Sequence, residues 1–248
     1  MNLIRNIFLF YLLVLLCGCR NDAAPVFSND TAVLNKELLE SAKGSIRTGD
    51  IIMRSGRDIT SYRIRELSDR DKTYSHAGIA YVVDTAVYIY HIIPPELYEN
   101  KADSVVRMER LEDFAQPGHC FGFGIVRYPL SNDEIGRALH YLDSIKTQKV
   151  AFDRLFDLRD PSKMYCSEMI DNTLGYATND RIRLNRKTFS RLQAIRVAKY
   201  FHTTIDEVVK RQYITIDESC LQHRSFVVIL LTEAADDHCR IFRIFAEK

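Results

Sequence analysis

Residues 74–93 read YSHAGIAYVVDTAVYIYHII. Two runs rich in β-branched and aromatic residues, 75–83 and 86–93, flank Asp84-Thr85, the pattern of two strands joined by a tight hairpin turn. If Val83 opposes Ala86, then His91 opposes Gly78. His76 stands two residues before Gly78 and therefore shares its face. The two histidines become diagonal neighbours, roughly 7–8 Å apart at the backbone and within side-chain reach. Gly78 leaves room for the His91 ring. Pro94-Pro95 ends the second strand, because proline cannot donate to a ladder.

The pattern on either side extends this hairpin into a mixed fold. Residues 50–53, entered through Gly49, read as a short apolar strand, and 58–67 as a polar helix. Strands are expected at 104–109 and 120–128. Ser131-Asn132-Asp133-Glu134 forms a capping box. It opens a helix with Ile135, Ala138, Leu139, Leu142 and Ile145 on one face. A turn-rich stretch, 152–162, precedes a helix from about Tyr165 to Leu174, with Gly175 as its C-terminal cap. A helix is read over 187–201, a second capping box at Thr204–Glu207, an apolar strand at 226–231 and an edge strand at 240–245. Hairpin-linked strands with helices imply an α+β class rather than a doubly wound sheet.

The first residues, MNLIRNIFLFYLLVLLCGC, carry one positive side chain, Arg5, and a short apolar run from Ile7 to Cys17. That run suits a signal-peptide core and is short for a membrane span. Leu16-Cys17-Gly18-Cys19 resembles a bacterial lipobox, so Cys19 is the expected site of lipidation. Several acyl chains on one residue anchor a protein stably. The expected organisation is a lipoprotein signal over 1–19, a tether and short helix over 20–43, and one domain over 44–248. The protein is placed in the bacterial envelope, held to a membrane by its lipid.

Basic residues number 34 and acidic residues 33, for a formal net charge of +1. Nucleic-acid binding through many phosphate contacts needs a clear basic excess, so no nucleic-acid partner is expected. Beyond Cys17 and Cys19 there are Cys120, Cys166, Cys220 and Cys239, with no CxxC pair and no zinc spacing. No phosphate-binding, dinucleotide or HExxH pattern occurs. Asp153, Asp157 and Asp160 lack calcium-loop spacing. No metal and no cofactor is expected.

Chemistry points to Cys166, in Met164-Tyr165-Cys166-Ser167-Glu168-Met169. It falls in the first turn of a helix, where unpaired N–H groups favour a thiolate, and the thiolate is the nucleophile. Such a nucleophile needs a general base, and His76 is the best placed, with His91 set to orient it.

Gly49-Asp50-Ile51-Ile52, Tyr74-Ser75-His76-Ala77-Gly78-Ile79 and Met164-Tyr165-Cys166-Ser167-Glu168, in that order, resemble the permuted papain-like amidases of the YiiX/YaeF type. These are relatives of NlpC-type peptidoglycan amidases and of lecithin–retinol acyltransferase. The resemblance spans about residues 44–174. It implies a circularly permuted papain-like fold, an antiparallel sheet or half-barrel packed against helices. It implies Cys166 as nucleophile, His76 as base and His91 as the third polar residue, where permuted relatives often carry glutamate. The Cys166 N–H would help form an oxyanion hole, with Tyr165 and Ser167 as flanking candidates. The expected activity is hydrolysis of an amide, or an ester, in a cell-wall peptide or a lipid-like acyl compound. The alternatives are an acyltransferase and a non-catalytic binding lipoprotein.

Overall fold

Ile51, Ile52 and Met53 are all completely buried. A strand with one wet face would alternate, so this run reports a sheet covered on both sides. The computed structural model describes residues 37, 39–94, 105–116, 118–200, 202–221 and 226–230. The strands are β1 (Ile51–Gly56), β2 (His76–Val83), β3 (Ala86–Ile92), β4 (Val106–Arg110), β5 (Cys120–Val126) and β6 (Phe226–Leu230). They form one six-stranded sheet in the order β6-β5-β1-β2-β3-β4, with every neighbouring pair antiparallel.

The β2–β3 hairpin has the register expected, with Val83 opposite Ala86 and Gly78 opposite His91. Asp84 takes the left-handed conformation (φ 52°) that a tight turn demands. A Cβ on Gly78 would lie 2.5 Å from the Tyr90 carbonyl oxygen and 3.0 Å from His91 Cβ, so only glycine lets β3 approach here.

The helices are α1 (Ile59–Arg65), α2 (Leu111–Phe114), α3 (Asn132–Thr147), α4 (Cys166–Thr178), α5 (Arg191–Tyr200) and α6 (Ile205–Val209), with a further turn at Glu218–Leu221. On one face of the sheet, Leu142 and Ile145 of α3 and Met169, Ile170 and Leu174 of α4 pack on Met53, Ala77 and Ile79. On the other, Leu39, Ala42, Leu111 and Phe114 pack on Ile52, Ala80 and Ile89. Each such side chain contributes roughly 1.5–3 kcal/mol by leaving water.

The capping box at Ser131 forms in full: Glu134 N–H donates to Ser131 Oγ, and Ser131 N–H to Glu134. Two boundaries differ from the sequence reading. Helix α4 runs past Gly175 to Thr178 and ends on Asn179 in the left-handed conformation. Gly175 instead makes room for the Arg183 side chain, which a Cβ would strike. The helix expected from 187 starts at Arg191, because Lys187 and Thr188 pair with Tyr213 and Gln212. Ser190 and Gln193 cap it reciprocally. Residues 1–36, including the apolar leader and Cys19, and the edge strand expected at 240–245 lie outside the described residues. Among the described residues no helix is long and apolar enough to cross a membrane.

Candidate active site

Cys166 is the first residue of the thirteen-residue helix α4. The preceding Tyr165 is extended (φ −121°, ψ 175°) and sets the helix start. Glu168, in the first turn, accepts a hydrogen bond from the Tyr165 N–H. Burial pushes the Cys166 thiol above its ordinary pKa, opposed by the N–H of Ala77 and by the first-turn donors at Ser167 and Cys166. At neutral pH the resting sulfur is therefore protonated.

The contact with Ala77 places the thiol against the peptide that leaves His76. His76 opens β2, opposite Arg54 of β1. Its Nε2 lies 2.9 Å from Nδ1 of His91, so the register that made the two histidines diagonal neighbours does join their rings. Both rings lean on Phe114, with centroids at 5.7 and 5.2 Å. The structure shows no hydrogen bond between the Cys166 sulfur and the His76 imidazole. Cys166 lies with Ala77 and Met53 on the face of the sheet that α4 covers, whereas the His76 and His91 rings lie with Arg54 and Phe114 on the opposite face, so the structure does not bring the thiol and the imidazole together. Nδ1 of His76, the nitrogen nearer the main chain, is the one His91 leaves unengaged.

Electrostatics favour the neutral form of His76. Burial, the Arg54 guanidinium and His91 together hold His76 well below the ordinary histidine pKa. His76 keeps partial access to solvent, which softens the burial effect. Arg54 and His91 act in the same direction, so the lowering stands. Arg54 is itself fixed, donating to the Phe114 carbonyl at 2.8 Å. His91 is completely buried and lowered by burial, which Glu109 opposes. The contact between His91 Nε2 and Glu109 Oε1 is 3.0 Å, close in distance but off-line in angle. Glu109 escaped the sequence reading. It sits on the short strand β4, and its signal was the i, i+2 spacing from Arg107, which opposes His91.

The flanking candidates have different surroundings. The Tyr165 hydroxyl is buried, accepting from Ile214 N–H at 2.6 Å and contacting the Ile214 carbonyl at 3.2 Å. It ties the start of α4 to the C-terminal segment. Ser167 is buried and its hydroxyl supports the sulfur. A narrow apolar pocket opens beside Cys166, walled by Leu67, Phe156 and Tyr213 to Ile216. Its closed part has room for about one water. The C-terminal third thus shapes the space at the thiol. Cys120, the other free thiol described, is buried under Phe114 and Phe123, and burial raises its pKa to about 11. Asp153 organises a turn, accepting from the N–H groups of Leu155 and Asp157. Arg181 and Arg183 are paired with Glu134 and Asp171.

The sequence matches no family model and no curated protein. A solved structure does match: YiiX from Escherichia coli O157:H7, described as a metalloprotein and as DUF1105. The TM-score is 0.56 at 15% identity, over 75% of this chain and 97% of that one. The two facing ring nitrogens of His76 and His91 use on each other the positions a metal would need. Among the described residues no group of three or more His, Cys, Asp or Glu is arranged to hold a metal ion. His76 and His91, turned on each other, therefore form no metal centre with any other described residue. In architecture the chain is an α+β protein of the YiiX-like fold, the type to which its three sequence blocks point.

Proposed function

We propose that the protein is a lipid-anchored envelope hydrolase that cleaves amide or ester bonds through Cys166. The observation that carries this reading is the start of α4, where the Cys166 sulfur is met by the N–H of Ala77 and by donors at Ser167 and Cys166 itself. A joined histidine pair, His76 and His91, stands across the sheet from it. Because burial keeps both thiol and imidazole neutral, proton transfer accompanies attack instead of preceding it. The sulfur forms a bond to the carbonyl carbon as its proton passes to His76 Nδ1, a transfer that requires the His76 ring to swing from Phe114 round the start of β2 to the face that α4 covers. The oxyanion is met by N–H groups at the start of α4. His76 then protonates the leaving amine or alkoxide as the C–N or C–O bond breaks. Water, losing a proton to the same nitrogen, releases the acyl group from sulfur. Admission of a substrate requires the wall of Leu67, Phe156 and Tyr213 to Ile216 to part.

An acyl p-nitrophenyl ester or acyl p-nitroanilide, followed by intact-mass analysis, tests the proposal. Wild-type protein is expected to gain one acyl group on Cys166, and Cys166→Ala none. Loss of a positioned base should slow acylation by about 10²- to 10⁴-fold in His76→Ala. Equal acylation rates in wild type and His76→Ala would defeat the reading. Adding acceptor amines distinguishes hydrolysis from acyl transfer by its products. A binding lipoprotein on the same fold is the second reading. The observation favouring it is the thiol's burial, at 6% exposure beside a pocket with room for about one water. Under that reading no acyl adduct forms at any pH.

A further inference from the structure

Both ring nitrogens of His91 face polar groups. Nδ1 stands 2.9 Å from His76 Nε2, and Nε2 stands 3.0 Å from Glu109 Oε1. A neutral imidazole carries one N–H and one lone pair, so it donates at one of these positions and accepts at the other. Which one is decided outside the ring.

Glu109 decides it. On β4, Arg107 opposes His91 and Glu109 opposes Ile89, so the carboxylate sits diagonally from His91 on the same face of the sheet. Burial pushes the Glu109 carboxyl up, but the His91 contact with Arg54 and Arg107 outweighs it and holds the group below the usual carboxylate range. A carboxylate only accepts. It therefore keeps the His91 proton on Nε2. Nδ1 of His91 is left as an acceptor, and His76 must supply it from Nε2–H. The lone pair of His76 then lies on Nδ1, the nitrogen nearer Ala77.

We infer that Glu109 is a positioning residue that fixes the tautomer of His76 through His91, by its charge 3.0 Å from His91 Nε2 and then by the hydrogen bond between the two rings. Arg54 on β1 and Arg107 on β4 are the charged groups that favour the ionised form of Glu109 and the neutral form of His91. The catalytic consequence rests on the hydrolase reading; the tautomer assignment does not.

The test uses the full chain with ¹⁵N-labelled histidine and long-range ¹H–¹⁵N correlation near neutral pH. In wild type both His76 and His91 are expected as Nε2–H tautomers. In Glu109→Ala the acceptor is gone, and both rings should move toward Nδ1–H. In Glu109→Gln, which nearly preserves shape, the amide can donate to His91 Nε2 and should reverse both tautomers. Acylation of Cys166 should fall by about 10- to 100-fold in both variants. Alkylation of Cys166 at high pH, which needs no base, should be unchanged. A wild-type His76 carrying its proton on Nδ1, or tautomers indifferent to both substitutions, overturns the inference. Tautomers that respond as expected in a protein that never acylates would uphold it and sink the hydrolase reading alone.

Discussion

At the scale of single residues, burial and its neighbours set the chemistry of α4. Glu168, two residues beyond the thiol, is 5% exposed, and burial with Asp153 close by raises its pKa from 4.5 to about 8. One of its oxygens has no partner. The folded state thus retains a proton that the unfolded chain releases. The associated stability is complete below the unfolded pKa and is lost as pH rises toward 8. The size is on the order of a few kcal/mol. Urea unfolding of wild type should show a midpoint that falls between pH 5 and pH 8. Glu168→Gln, which cannot ionise, should flatten that slope and unfold later than wild type at pH 8. Parallel pH profiles for the two proteins would refute it. The His76 prediction belongs here as well. Because His76 is held below its ordinary pKa, acylation should persist as pH falls through 6.5, and fade only once His76 takes up a proton.

Elements show how far the sequence alone could be read. The hairpin was legible to the residue, since alternating apolar positions and the Asp84-Thr85 turn leave one register that buries both faces. The capping box at Ser131 was legible because its signal is local. What the sequence concealed was long-range. Gly175 looked like a helix end, yet its role is to admit Arg183 from a later loop. Ser190 and Gln193 carried a cap that went unread beside the longer apolar pattern. Glu109 is one charge among many until β4 is placed against β3. At this scale Tyr165 joins α4 to the C-terminal segment through Ile214. Tyr165→Phe leaves a buried N–H unpaired, which costs about 1–3 kcal/mol. Its chemical-denaturation midpoint should drop accordingly, and the Ile214 amide should exchange its hydrogen faster. An unchanged midpoint with slow exchange would contradict the role of that hydroxyl.

Across the whole molecule, the C-terminal third completes what the three motif blocks begin. Strand β6 covers the edge of β5 from Val126 to Gly122. Asp217 accepts from the N–H groups of Arg70 and Asp71, steadying the loop that leads into β2. Tyr128 donates to the Ser219 carbonyl at 3.0 Å. A chain cut after residue 221 would expose the β5 edge, and exposed edges recruit other chains. Size-exclusion chromatography should then show oligomers or aggregates where the full chain elutes as a smaller species. Unchanged elution would mean the edge needs no cover. The grip of Tyr165 on Ile214 has one more effect. The neighbour of the sulfur in sequence is fastened to the panel that shuts over it in space. Any guest that displaces that panel must also strain the bond rooting the helix that carries Cys166, so room beside the sulfur and the footing of its helix are held by the same contact.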